Sequence, residues 1–133
     1  MKSIQALILT PLEQSHDPIL ATIKEALLQR SIQPIVIDQI SSSTVLANAV
    51  TDAIQQADLI VADVSKKNAN VLFELGFSLA LRKPTLLLLS TDELIDVPPY
   101  LAAYQMITYD PKNLLPLRHQ IERFLDYQQS KLM

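Results

Sequence analysis

The chain has 133 residues, 49% of them hydrophobic and 19% charged, with a formal net charge of −3 and a pI near 5.2. That length is expected to close one core as a single domain over residues 1–133, and the acidic balance offers no basic field for nucleic acid. There is no cysteine, which removes disulfides, thiolate nucleophiles and cysteine-based zinc sites together.

Near the N-terminus, Ala6 to Thr10 is a continuous apolar run ended by Pro11. It is too short for a membrane span or the apolar part of a signal peptide, so a cytoplasmic protein without a membrane partner is expected. A run without alternation fits a strand buried on both faces. Asp17 and Pro18 form a helix start, aspartate as N-cap and proline in the first turn, with Ile19, Leu20, Ile23, Ala26 and Leu27 at helical spacing through about Arg30. Pro34 restarts an extended run over Ile35-Val36-Ile37, closed by Asp38. Serines 41 to 43 and Thr44 then offer caps for a second helix that carries Val45, Leu46, Ala49, Val50, Ala53 and Ile54 on one face.

Asp58 to Asp63 reads as a third strand that ends in a carboxylate. A loop follows, then a helix from Val71 to Arg82 capped by Asn68 or Asn70, stopped by Pro84. Thr85 to Leu89 is the most apolar strand. Residues 91 to 103 are irregular, Tyr104 to Tyr109 alternates as an edge strand, and an amphipathic helix runs from about Asn113 to Gln129. Strands and helices in this rhythm predict an α/β protein: a flavodoxin-like three-layer sandwich with a five-stranded parallel sheet in the order 2-1-3-4-5. In that order a crevice opens at the C-terminal ends of the first and third strands. It is rimmed by Thr10, Pro11, Leu12 and Glu13, by Asp63, Ser65, Lys66, Lys67, Asn68 and Asn70, and by Ser90, Thr91 and Asp92.

Two residues of the third helix stand out. Gly76 is the only glycine in the chain and lies inside a helix, where glycine costs about 1 kcal/mol relative to alanine. Glu74 is a carboxylate in an otherwise apolar segment. With Asn70 as cap, Glu74 falls near the first turn, where the helix dipole helps keep it ionised. Glu74, Ser78 and Arg82 fall at i, i+4 and i+8 as a polar stripe, and Gly76 gives clearance for a close neighbour. A carboxylate pair formed by Glu74 and Asp63 in one cleft has what a retaining glycosyl transfer requires. The ordinary explanations are a helix-stabilising charge for Glu74, a loop cap for Asp63 and a solvated loop tip for Lys66-Lys67. His16 and His119 lack metal-ligand company, and Tyr100, Tyr104 and Tyr109 are expected to pack the late strand.

The run from Ala57 to Thr85 sets Asp63, Asn70-Val71, Glu74-Leu75-Gly76 and Lys83-Pro84 at a particular spacing. It resembles the nucleoside 2-deoxyribosyltransferase family and its TIR-like relatives. Leu7 to Leu12 and the later segments Val97 to Leu101 and Met106 to Asp110 are similar to the TIR-like branch. The resemblance implies cleavage or transfer at the N-glycosidic bond of a nucleoside or nucleotide, with Glu74 as nucleophile and Asp63 assisting the base. Thr10, Pro11, Asn68, Asn70 and Ser90 would bind substrate, without cofactor or metal. The first strand ends Thr10-Pro11-Leu12, with neither the tyrosine nor the glycine of the transferases and with leucine in place of the TIR-like phenylalanine. A catalytically silent nucleotide-binding or signalling module, or a NAD glycohydrolase, is the alternative. Phe73, Phe77 and Leu79 give the third helix more apolar surface than one face needs, which predicts a homodimer or larger homo-oligomer with this helix near the interface.

Overall fold

A computed structural model describes residues 3–11, 17–36, 43–65, 68–92, 101 and 104–132; within these, the side chains of residues 43–47 and 132 are not described. The strands are β1 (Gln5–Leu9), β2 (Gln33–Ile35), β3 (Leu59–Asp63), β4 (Thr85–Ser90) and β5 (Gln105–Tyr109). The helices are α1 (Pro18–Gln29), α2 (Ser43–Gln56), α3 (Ala69–Ala80) and α4 (Leu115–Leu132). The strands form one sheet in the order β2-β1-β3-β4-β5, every neighbouring pair parallel, as the alternating rhythm predicts.

Side chains along a strand alternate between the two faces of a sheet, and this alternation divides the core in two. Ala6, Ile8, Leu59, Val61, Leu86, Leu88, Ile107 and Tyr109 face one way, packing with Ile23, Ala26 and Leu27 of α1 and Leu117, Ile121, Phe124 and Leu125 of α4. Leu7, Leu9, Ile60, Ala62 and Leu87 face the other way, against Val50 and Ile54 of α2 and Val71 and Leu75 of α3. Both faces being covered explains why β1, β3 and β4 read as unbroken apolar runs.

Local chemistry sets the helix ends. Asp17 caps α1, its Oδ1 accepting from the Ile19 N–H at 2.9 Å, with Pro18 in the first turn. Asn68, not Asn70, caps α3: its Oδ1 accepts from the Val71 N–H at 3.1 Å, and Asn70 sits exposed one residue inside the helix. α1 and α3 both end in a Schellman arrangement. The Ile32 N–H reaches the Leu27 carbonyl and the Ser31 N–H that of Leu28; Lys83 and Arg82 do the same toward Ser78 and Leu79. The residues turned left-handed there are Ser31 and Arg82, each with φ of 58°. Lys83 also reaches across to α2, its Nζ donating at 2.8 Å to the carbonyls of Gln55 and Ala57.

β2 begins two residues earlier than the Ile35 to Ile37 run suggests and contains Pro34, paired with Ala6. β2 lies at the sheet edge, so the N–H that proline lacks is one that the ladder need not use. Ile37 and Asp38 lie outside the described residues. The cap assignment for α3 is directly checkable: Asn68→Ala is expected to cost about 1 kcal/mol of stability and Asn70→Ala only a few tenths, read from paired urea melts.

Candidate active site at the sheet rim

The C-terminal ends of β3, β4 and β5 are joined by one hydrogen-bonded cluster. Asp63, at the end of β3, is 7% exposed. Its Oδ1 accepts from the backbone N–H of Ser65 at 2.9 Å and from the Ser65 hydroxyl at 2.5 Å. Its Oδ2 accepts from the Tyr109 hydroxyl of β5 at 2.7 Å. The Ser65 hydroxyl oxygen in turn accepts from the Ser90 N–H of β4 at 2.7 Å, and the Ser90 hydroxyl accepts from the Asp92 N–H at 3.2 Å. Burial, then the neighbouring Asp63 charge, pushes the Tyr109 phenol well above the usual tyrosine range, so at neutral pH it is a donor to the carboxylate. Among the described residues no buried side-chain nitrogen or oxygen is left without a hydrogen bond.

Glu74 is differently placed. With Asn68 as cap, it stands in the second turn of α3, beyond the first turn, where the dipole acts most strongly. The expectation that the dipole keeps it ionised therefore does not hold: burial instead raises its pKa above the ordinary glutamate value. The carboxylate is half-buried and has no hydrogen-bond or ion-pair partner among the described residues. The polar stripe is also absent. Ser78 is fully buried and donates to the backbone carbonyl of Glu74 at 2.9 Å, while Arg82 lies past the helix end. Gly76 does not serve as clearance among the described residues: it is exposed, and a Cβ there would meet none of them within 4 Å.

The two carboxylates expected to share a cleft are not in contact with one another. Asp63 follows Leu59 and Val61 in alternation and meets Tyr109 on the α1/α4 side, whereas α3 packs on the opposite layer. The other predicted residues divide in the same way. Thr10 follows β1 at the rim, just as Asp63 follows the Leu9–Ala62 pair; it is buried, and Pro11 is half-buried beside it. Ser90 is buried in the Asp63 cluster, and Asn68 is occupied as a cap. Asn70 is exposed four residues before Glu74, a spacing that sets two side chains next to one another on a helix. Leu12, Glu13, Lys66, Lys67 and the segment Val97 to Tyr100 lie outside the described residues.

Ser65 was expected only as part of the rim and Tyr109 only as strand packing; their hydrogen bonds to Asp63 were not foreseen. A usable signal was available: Tyr109 ends the last parallel strand, as Asp63 ends the third, and both continue the α1/α4-facing alternation. Among the described residues no group of three or more histidine, aspartate or glutamate side chains is arranged to hold a metal. No described helix is long and apolar enough to cross a membrane.

No protein-family model matches the chain, and no curated protein matches it. Solved structures do. A 2-deoxyribosyltransferase from Bacillus psychrosaccharolyticus superposes with a TM-score of 0.67 at 12% identity, over 89% of this chain and 90% of that one. A CMP N-glycosidase from Clostridium botulinum gives 0.59 at 15% identity, over 97% and 99%. A flavoenzyme NAD(P)H:(acceptor) oxidoreductase from Paracoccus denitrificans gives 0.54 at 12%, over 97% and 98%. Likeness at this identity establishes the flavodoxin-like fold, which hosts more than one chemistry.

Tyr109→Phe leaves a buried carboxylate oxygen without its donor and is expected to cost about 2–3 kcal/mol, measured by chemical denaturation. The native pKa of Tyr109 lies above its unfolded value, so its contribution is complete below the ordinary tyrosine pKa of about 10 and is lost as pH rises beyond it. Wild type is therefore expected to lose stability above about pH 10 more steeply than Tyr109→Phe, in melts collected across that range.

Proposed function

We propose that the chain cleaves or transfers the N-glycosidic bond of a nucleoside or nucleotide, with Glu74 as the nucleophile. The observation that carries this is a half-buried carboxylate with no partner among the described residues, on the helix that follows β3 away from the crevice rim. A carboxylate that is partly shielded from water and has no pairing partner is less stabilised than a paired or fully solvated one, which suits it to attack. Glu74 in its ionised form attacks C1′, the C1′–N bond breaks, and its electron pair leaves with the base. Water or a second base then takes the sugar from the glutamyl ester.

Asn70, one turn before Glu74, is placed to hold a sugar hydroxyl beside it. Thr10, Pro11, Asn68 and Ser90 shape the floor and edge of the crevice. Asp63 has both oxygens occupied, so its role in this proposal is to position the rim, and the proton for the departing base comes from water. The resemblance of Ala57 to Thr85 to nucleoside 2-deoxyribosyltransferases and the shared fold with a 2-deoxyribosyltransferase and a CMP N-glycosidase support the substrate class. The proposed active form is a cytoplasmic homodimer or larger homo-oligomer, because α3 is apolar on nearly all sides.

A catalytically silent nucleotide-binding or TIR-like signalling module is the alternative, favoured by the full engagement of Asp63. Purified protein is to be incubated with deoxynucleosides, nucleoside monophosphates and NAD. Base release that Glu74→Ala abolishes is the expected result, and release from NAD alone identifies a NAD glycohydrolase. Release no greater than in that variant rejects the reaction, and nucleotide binding by calorimetry without turnover then supports the module.

The raised pKa of Glu74 has two measurable consequences. Activity requires the ionised form, so the acidic limb of the rate profile is expected above the ordinary glutamate pKa of about 4.3. A folded-state pKa above the unfolded one means that the glutamate contributes stability only at low pH and loses it as pH rises. Glu74→Gln, which carries no charge to desolvate, is therefore expected to melt higher than wild type at pH 7 while losing activity.

A further inference from the structure

The two edges of the sheet are finished differently. β2 is three residues long and contains Pro34, which has no N–H to offer; shortness and proline both blunt an edge. β5, at the opposite edge, is five residues long and reads Gln-Met-Ile-Thr-Tyr, without proline or charge. The N–H and C=O of one strand residue point to the same side, and successive residues alternate. The Tyr109 carbonyl accepts from the Thr91 N–H at 2.8 Å, so Tyr109 and Ile107 turn their backbone groups to β4. Those of Met106 and Thr108 turn outward, and no hydrogen bond among the described residues reaches them.

Beside this edge, β5 and α4 form a cleft of about 380 Å³ lined by Gln105, Met106, Gln120, Arg123, Phe124 and Tyr127. The charges of α4 are sorted around it. Glu122 and Asp126 turn toward α1, where Arg30 pairs with them at 3.5 and 2.6 Å. Arg123 is exposed at the cleft and has no hydrogen-bond or ion-pair partner among the described residues. Lys131 lies over the Tyr127 ring, 4.7 Å from its centre, and adds a second cation on the same wall. Asp110, just past β5, is engaged in its own turn, accepting from the Lys112 N–H at 2.9 Å. An open strand edge and a positive cleft therefore adjoin.

The geometry points to strand addition: an extended acidic segment of a partner protein pairs its main chain with Met106 and Thr108 and sets carboxylates against Arg123. In such contacts main-chain bonds supply affinity and alternate side chains supply specificity. Every second side chain of an added strand falls on the α4 side of the sheet, the side that Ile107 and Tyr109 face. Acidic residues at alternate positions therefore meet the cleft, and those between them fall on the side of Met106, where apolar ones fit. A second copy of β5 would bring no carboxylate to Arg123, so charge favours a different chain. The contact uses none of the residues of the glycosyl-transfer proposal and stands independently of it.

Fluorescence polarisation of a labelled peptide of about eight residues, alternating glutamate and valine, tests this. Wild type is expected to bind it with a Kd below about 100 μM, and the same peptide with lysine for glutamate about tenfold more weakly or worse. Thr108→Pro removes an outward N–H and leaves the ladder to β4 intact, and should weaken binding by about tenfold. Arg123→Glu should weaken it as much. Both positions are exposed, so both variants should keep the wild-type circular dichroism. No saturation at about 1 mM peptide, equal binding of the lysine peptide, or unchanged binding in either variant overturns the proposal. Self-association of wild type that Thr108→Pro abolishes in sedimentation gives the edge to a second copy and overturns it equally.

Discussion

Three neighbouring strands of the sheet finish side by side, and the polar groups at their ends are closed off by the Asp63 carboxylate. It accepts from Ser65 next to it and from Tyr109 two strands away, while Ser65 passes the connection on to Ser90 of the strand between. A buried anion is tolerable only when its lone pairs are used, and here they are filled by donors from β5 and from the turn after β3. The loops that leave these strands therefore start from a fixed frame. α3 begins one such loop later, so the position of Glu74 is inherited from this cluster although the two carboxylates do not touch.

The paired and the unpaired carboxylate thus belong to different layers. Asp63 and Tyr109 face α1 and α4, a layer tied further by Arg30 to Asp126 at 2.6 Å and Arg118 to Glu25 at 3.2 Å. Glu74 is on α3, which shares the other layer with α2, and has no pairing of its own among the described residues. Fold likeness to a glycosyl-transferring enzyme and to an oxidoreductase alike assigns neither chemistry to this chain. The distinction between an occupied carboxylate and a free one does more to narrow the possibilities.

Much of the architecture was legible because burial on both faces writes itself as unbroken apolar runs, as in Ala6 to Leu9 and Leu86 to Leu89, and because Asp17-Pro18 is an unambiguous helix start. The α3 cap was not legible: Asn68 and Asn70 are the same residue type, and only the reach of one side chain to the Val71 N–H separates them. That shift of two residues places Glu74 in the second turn rather than the first, and burial rather than the helix dipole sets the direction of its pKa. Asp63 was visible as a strand-end acid, but its acceptance from Tyr109 is a contact across 46 residues of sequence. Alternation from Leu59 would have assigned the face, though not the partner. β2 was displaced because proline reads as a strand breaker until its strand is known to be an edge.

The way this chain ends two of its helices has a bearing on how far it can still change. Left-handed turns at Ser31 and Arg82 occupy the position where glycine is most often found, and each side chain there costs on the order of 1 kcal/mol against glycine. The single glycine stands elsewhere, at an exposed position of α3 where no close neighbour among the described residues calls for it. Natural chains seldom sit at their stability optimum, and in this one the unused margin is concentrated at two surface corners away from the rim. Substitutions that erode the crevice while a new specificity is acquired have compensating positions available there.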